Sequence, residues 1–94
     1  MKKDERIELF RAEIDLVLDE LESEMIKHPD WPEDKIHATA RLIKEAGELL
    51  QAANDHEYRT KHQVCQQIVI DRMKLEAAQV GAMAIRILMN LQEA

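Results

Sequence analysis

Apolar side chains recur every three or four residues along most of this chain, a spacing that predicts helices rather than strands. Residues 4–27 show the pattern first, with a strongly acidic opposite face. Pro29 and Pro32 then interrupt it, because each proline disfavours the helical conformation in the residue before it. We therefore predict one helix over 4–27 and a loop over 28–32. The apolar stripe of this helix comprises Ile7, Phe10, Ile14, Val17, Leu21 and Met25.

A second helix is predicted from about Pro32 to Asn54, with its own apolar stripe. Four polar residues, His37, Arg41, Glu45 and Glu48, fall together on the other side. The segment 54–56 (Asn-Asp-His) is turn-like, so we predict that the helix ends there. The predicted apolar centre consists of Ile36, Ala40, Ile43, Gly47 and Leu50.

The remainder, residues 57–91, contains no proline and a single glycine, Gly81. A continuous helix of that length would measure about 50 Å, so we predict a break near 71–74 or an overhang used by a second subunit. The last part is apolar around most of its circumference, which requires burial on several sides. Two neighbouring helices cannot supply that burial, so we predict a homodimer or homotetramer.

Together these segments predict an all-α fold: one domain over 1–94, built as an antiparallel bundle of three to four helices and completed by dimerisation. The formal net charge of −6 argues against binding to nucleic acid. No apolar run is long enough for a signal peptide or a membrane span. The single cysteine, Cys65, excludes an internal disulfide, and we expect a cytoplasmic protein without a membrane partner.

Candidate chemistry is concentrated in two helical pairs of oxygen-bearing side chains. Glu45 and Glu48 stand three residues apart and project from one helix face, as do Glu76 and Gln79 on the later helix. If the two helices pack side by side, three carboxylates and one amide converge, which is the ligand set that Mg²⁺ or Mn²⁺ prefers. The alternative is a solvated face in which Arg41 pairs with Glu45.

The segments EAGEL at 45–49 and EAAQ at 76–79, the latter in an alanine-rich apolar helix, resemble the MazG-type branch of the all-α nucleoside triphosphate pyrophosphohydrolases. The resemblance extends from about Trp31 to Leu88 and is greatest to small, single-domain, phage-associated members. The family pattern is Glu-x-x-Glu on one helix and Glu-x-x-Asp on a later one. Gln79 therefore stands where the family carries aspartate.

The resemblance implies a metal-dependent hydrolase that cleaves a nucleoside triphosphate between its α and β phosphates, giving a nucleoside monophosphate and pyrophosphate. Glu45 and Glu48 would be catalytic, and the metal ligands would be Glu45, Glu48, Glu76 and Gln79. By position alone, Lys44, Arg72 and Lys74 are candidate phosphate contacts, and Trp31, His28 and Asn90 are candidate nucleobase contacts. Trp31 has an alternative role as a cap over the core beneath its loop.

The neutral amide of Gln79 leaves a second reading open. An amide oxygen can bind Mg²⁺ but contributes no negative charge, so a second metal would be held more weakly. The alternative function is a catalytically weak or inactive nucleotide-binding protein, or a helical interaction protein of phage or prophage origin.

Overall fold

The computed structural model describes residues 1–58 and 66–92, and these residues form helices joined by short connections, without a strand. The helices are α1 (Lys3–Leu9), α2 (Arg11–Lys27), α3 (Lys35–Tyr58) and α4 (Gln66–Gln92). The predicted all-α class, with three to four helices, is confirmed.

Helix α4 is the central element. It packs against both α3 and α2, whereas the backbones of α2 and α3 do not meet. Contacts of Arg72 with Asp55 and of Arg86 with Trp31 show that α4 runs antiparallel to α3. Contacts of Gly81 with Val17 and of Arg86 with Glu24 show that α4 runs parallel to α2. Helix α4 therefore forms the floor of a groove whose walls are α2 and α3.

The single helix predicted over 4–27 is divided at Phe10. This residue has φ −115° and ψ 23°, and its N–H donates to the carbonyl of Ile7, only three residues back, at 3.2 Å. Among the four described helices, α1 packs against α2 alone. Because Phe10 is 52% exposed, little tertiary packing holds this residue in helical register.

The predicted bounds of the second helix are wrong at both ends. Helix α3 begins at Lys35 rather than Pro32, because the Asp34 carboxylate accepts from the N–H of Ile36 at 2.9 Å and caps the first turn. At the other end the helix continues through 54–56 to Tyr58. The side chain of Asp55 does not stop the helix but accepts from Gln51 at 3.1 Å and from Arg72 of α4 at 2.8 Å.

The predicted break at 71–74 is absent, and α4 is continuous over its 27 residues. Gln67 donates to Asp71 at 2.9 Å, one turn later, and so supports the helix where the break was expected. Residues 59–65, which include Cys65 and part of the predicted 57–91 helix, lie outside the described residues. Despite the length of α4, no helix in the described ranges has the apolar character needed to cross a bilayer.

The predicted apolar centre of α3 is also wrong, because that stripe faces outward. Ile36, Ile43 and Leu50 are 81%, 66% and 63% exposed. We call this surface the outer stripe of α3; it consists of Ile36, Ala40, Ile43, Gly47 and Leu50. The face turned toward α4 is instead built around the buried, small residues Ala38 and Ala52, which allow the two helices to approach closely. Between these alanines, the inward face carries Glu45.

A small residue of α4 permits close packing against α2. A Cβ atom placed on Gly81 would lie 3.1 and 3.3 Å from the two γ carbons of Val17 on α2. Ordinary carbon–carbon contacts are about 3.5–4.0 Å, so α2 approaches α4 more closely at Gly81 than alanine would allow. The buried apolar residues are few and mostly small: Leu21, Ala38, Ala52, Ala78, Ala82 and Met83.

Candidate metal centre

Three carboxylates converge where α3 packs against α4. Glu45 and Glu48 project from the same side of α3, and the antiparallel α4 brings Glu76 beside them. One ligand oxygen from each side chain can be chosen so that all three lie within 4.8 Å of one another. The convergence expected from the two spaced pairs is thus present for their three glutamates.

The cluster is electrostatically costly in the absence of a cation. Partial burial is the largest cause that raises the pKa of Glu45. The negative charge of Glu48 and a hydrogen bond to Glu48 come next, and the charges of Glu76 and Glu24 add smaller increases. Glu45 Oε2 and Glu76 Oε2 are both shielded from solvent and find no hydrogen-bond partner among the described residues. Buried carboxylate oxygens are stable when they are paired or bound to a metal, so a bound cation would relieve the cost of these two oxygens.

The donor set fits a hard divalent cation. Carboxylate oxygens are the preferred protein ligands of Mg²⁺ and Mn²⁺. In an octahedral Mg²⁺ site, adjacent oxygens are about 3 Å apart and oxygens on opposite sides about 4.2 Å apart. The three carboxylate oxygens, each within 4.8 Å of the others, would therefore have to move closer together to bind one ion.

Helix α2 contributes two further carboxylates, Glu20 and Glu24, that the sequence analysis missed. Gln79 Nε2 donates to Glu20 Oε2 at 3.4 Å, so the fourth residue of the predicted ligand set contacts the opposite wall of the groove. A signal for both residues exists in the sequence. Val17, Glu20, Leu21 and Glu24 share one helical face, so the two acids interrupt the apolar face of α2 instead of belonging to its solvated side.

Next to the carboxylates lies a cluster of two arginines around one glutamate. Glu24 Oε1 accepts from Arg41 Nη2 at 3.1 Å and lies 3.9 Å from Arg86 Nη1, too far for a hydrogen bond. Arg86 is 3% exposed, and its Nη1 has no hydrogen-bond partner among the described residues. Desolvation, together with the nearby Arg41 charge, lowers the pKa of Arg86, while Glu24 opposes this shift.

Arg86 also fixes the connection between α2 and α3. Its Nη2 donates to the carbonyl oxygens of His28 at 2.6 Å and Pro29 at 3.3 Å. The guanidinium carbons of Arg86 and Arg41 lie 4.8 and 5.2 Å from the centre of the Trp31 ring. Both distances are within the range of cation–π interactions. The half-buried ring thus packs onto the arginine cluster, as in the alternative that assigned Trp31 to the core beneath its loop.

The other predicted substrate contacts are dispersed around the carboxylates. Trp31 and Asn90 line one pocket of about 430 Å³, and Asn90 donates to the carbonyl of Arg86 at 2.7 Å. Arg72 is engaged by Asp55 at 2.8 Å, on the side of the cluster away from Trp31. Lys74 is exposed and lies about 200° around α4 from Glu76, on the opposite side of that helix.

Lys44 and His28 line a second pocket, beside the connection between α2 and α3. The structure therefore brings Lys44 and the candidate nucleobase residue His28 to one pocket, and Lys44 directly precedes Glu45 in α3.

Comparison of the chain with known protein families, with curated proteins and with solved structures finds no match. The geometry of the groove and the residues in it therefore carry the functional argument.

Proposed function

We propose that the protein is a Mg²⁺- or Mn²⁺-dependent nucleoside triphosphate pyrophosphohydrolase of the MazG-like type, with its metal site at Glu45, Glu48 and Glu76. The observation that carries the proposal is the meeting of three carboxylates within 4.8 Å, two of them with a buried oxygen that lacks a partner. A helical surface that is merely solvated would not shield carboxylate oxygens from water in this way.

The proposed reaction forms a bond between a water oxygen and the α phosphorus. It breaks the bond from that phosphorus to the oxygen that bridges it to the β phosphorus, and pyrophosphate departs with that oxygen. Glu45 is suited to accept the proton of the water, because it lies among the carboxylates that would hold the cation and the water together. A divalent cation held by the cluster would neutralise the phosphate charge and acidify water.

Gln79 and Glu20 bear on whether the reaction proceeds. The Gln79 amide provides no charge, but its hydrogen bond holds the carboxylate of Glu20 at the same part of the groove. Glu20 would thereby supply negative charge close to the position at which the resembled family carries aspartate. The same contact favours a second candidate function, nucleotide binding without turnover, if the pairing of Gln79 with Glu20 keeps both side chains from a metal.

We also propose that the functional unit is at least a homodimer, in which the outer stripe of α3 is covered by a second copy. Three large side chains of the stripe are more than 60% exposed, and a Cβ atom added to Gly47 would have no packing neighbour within 4 Å. The radius of gyration is 15.5 Å, against about 12 Å expected for a compact domain of this length. Both observations are typical of a protomer that completes its core by association.

The direct test measures pyrophosphate release from the ribo- and deoxyribonucleoside triphosphates, with Mg²⁺ or Mn²⁺, at high protein concentration. We expect release from at least one substrate, and a loss of about a hundredfold or more in Glu45→Gln, since a disturbed metal site typically costs that much. Glu22→Gln, the same change on the exposed side of α2, is the matched control and should retain full activity.

The second measurement is thermal unfolding with and without the divalent cation, at constant ionic strength. Binding at a hundred times the dissociation constant stabilises the fold by about 2.7 kcal/mol, and Glu45→Gln should lose this gain. Cation-dependent stabilisation without pyrophosphate release would favour the binding protein. If neither effect is seen, the hydrolase proposal is wrong and a helical interaction protein remains.

A further inference from the structure

A second feature of the molecule is a pocket lined by cationic side chains, which we call the basic pocket. It has a volume of about 690 Å³ and lies beside the connection between α2 and α3. Lys27 lines it from α2, and Arg41 and Lys44 line it from α3; His28 and His37 also contribute. Such a concentration of cationic groups stands out in a chain whose formal net charge is −6.

Cationic side chains outnumber carboxylates in the lining of this pocket. Asp30 is the carboxylate in the lining, and Glu24 pairs with Arg41 at 3.1 Å. Lys27 and Lys44 therefore remain against Asp30. The buried Arg86 supports the wall from behind, where it donates to the carbonyl oxygens of His28 and Pro29 and lies 3.9 Å from Glu24.

The basic pocket is continuous with the carboxylate cluster along one edge of α3. Lys44 directly precedes Glu45, and Glu48 follows Lys44 by one turn on the same edge of the helix. Arg41 precedes Glu45 by one turn, about 6 Å along the helix axis. Negative groups that hold a cation therefore adjoin positive groups that attract an anion, an arrangement complementary to a phosphate chain bridged by a metal ion.

We propose that the basic pocket binds the pyrophosphate end of the substrate, with Arg41, Lys44 and His37 on one wall and Lys27 on the other. The identification of this ligand as the leaving group rests on the proposed function, but the affinity for an inorganic polyanion does not. The pocket differs from the phosphate contacts expected from the sequence, because it contains Lys44 but neither Arg72 nor Lys74.

Isothermal titration calorimetry with inorganic pyrophosphate, in EDTA and without any divalent cation, tests the pocket separately from catalysis. The test variants are Lys44→Gln and Lys44→Gln/His37→Gln, at residues whose side chains are exposed. The matched control is Lys3→Gln, which makes the same charge change on α1, the helix that among those described packs against α2 alone. Circular dichroism confirms that each variant is helical.

We expect the wild type to bind pyrophosphate more tightly than a nucleoside monophosphate. The double variant should lose about tenfold or more in affinity for pyrophosphate, because charge-assisted hydrogen bonds to phosphate are strong. The control should keep the wild-type affinity. The inference is overturned if the wild type does not bind pyrophosphate in EDTA, if Lys3→Gln weakens binding as much as Lys44→Gln, or if a nucleoside monophosphate is the preferred ligand.

The two proposals fail in different ways. Pyrophosphate binding that depends on Lys44, in a protein that hydrolyses no triphosphate, would support the pocket and contradict the hydrolase. Hydrolysis by a protein whose pyrophosphate affinity is unchanged in Lys44→Gln/His37→Gln would support the hydrolase and contradict the pocket.

Discussion

The two glycines of this chain stand in helix interiors but in opposite surroundings, and they give the sharpest test of the packing. At Gly47 a new Cβ atom would meet no packing neighbour within 4 Å, whereas at Gly81 it would lie 3.1 and 3.3 Å from the γ carbons of Val17. Alanine is favoured over glycine in a helix interior by about 0.8–1.0 kcal/mol. Both alanine substitutions therefore gain helix propensity, and only Gly81→Ala also brings a new atom too close to Val17.

The cost at Gly81 follows from the shape of valine. Both γ carbons of Val17 face the new atom, and χ1 rotation moves at most one of them away. Valine in a helix strongly prefers one χ1 rotamer, so even that relief is unfavourable. Overpacking of this kind costs about 1–3 kcal/mol. Gly81→Ala should thus change the free energy of unfolding by between zero and about −2 kcal/mol, whereas Gly47→Ala should raise it by about 1 kcal/mol.

Urea unfolding of the two variants, at two protein concentrations, measures the difference. We expect Gly47→Ala to be more stable than Gly81→Ala by about 1–3 kcal/mol at the lower concentration. Val17→Ala removes the opposing γ carbons, so in that background Gly81→Ala should become stabilising, with a coupling energy of about 1 kcal/mol or more. Equal stability of Gly81→Ala and Gly47→Ala would show that α2 and α4 do not approach as closely as described.

Two further predictions concern charge and association. The pKa of Glu45 is raised in the folded state, so folding favours its protonated form. Protonated Glu45 therefore stabilises the folded protein fully below the ordinary pKa of a glutamate, and this stabilisation is lost as the pH rises through the pKa of Glu45 in the folded state. Glu45→Gln should therefore be more stable than the wild type at pH 7 in EDTA, with a difference that shrinks toward pH 4 in urea unfolding; a difference independent of pH would contradict this. Ile43→Lys should shift the protein to monomers in sedimentation analysis, whereas Ile26→Lys, at a residue 74% exposed on α2, should leave the oligomer intact. Equal effects of the two lysines would exclude the outer stripe of α3 as the interface.

The sequence predicted the carboxylate cluster better than the packing that produces it. Spacing alone places Glu45 and Glu48 on one face, and the resemblance selects Glu76 as their partner on the later helix. The orientation of α3 could not be obtained in the same way. Its outer stripe contains Ile36, Ile43 and Leu50 and is more apolar than the face that packs on α4, yet it is exposed. Hydropathy measures how much a face gains by leaving water, not which neighbour covers it.

The sequence analysis missed the end of α3 and the acidic residues that α2 contributes, because each is involved in a contact with another helix. The predicted turn at 54–56 contains neither glycine nor proline, and Asp55 serves an ion pair with Arg72 that depends on the position of α4. Glu20 and Glu24 look like part of an acidic helix until it is noticed that they share a helical face with Val17 and Leu21. The periodicity of α2 contains the signal for the two acids, whereas a tertiary contact such as the pair of Asp55 with Arg72 overrides local propensity.

The attachment of Arg86 to the carbonyl oxygens of His28 and Pro29 has a mechanical consequence. Because the backbones of α2 and α3 do not touch, this side chain and the bridge from Arg41 to Glu24 join the two walls directly, in addition to the packing of each wall on α4. A substitution at position 86 would therefore loosen one attachment between the walls and could change the width of the groove. Selectivity for larger or smaller ligands could then be adjusted from beneath the site, by a residue that no ligand touches.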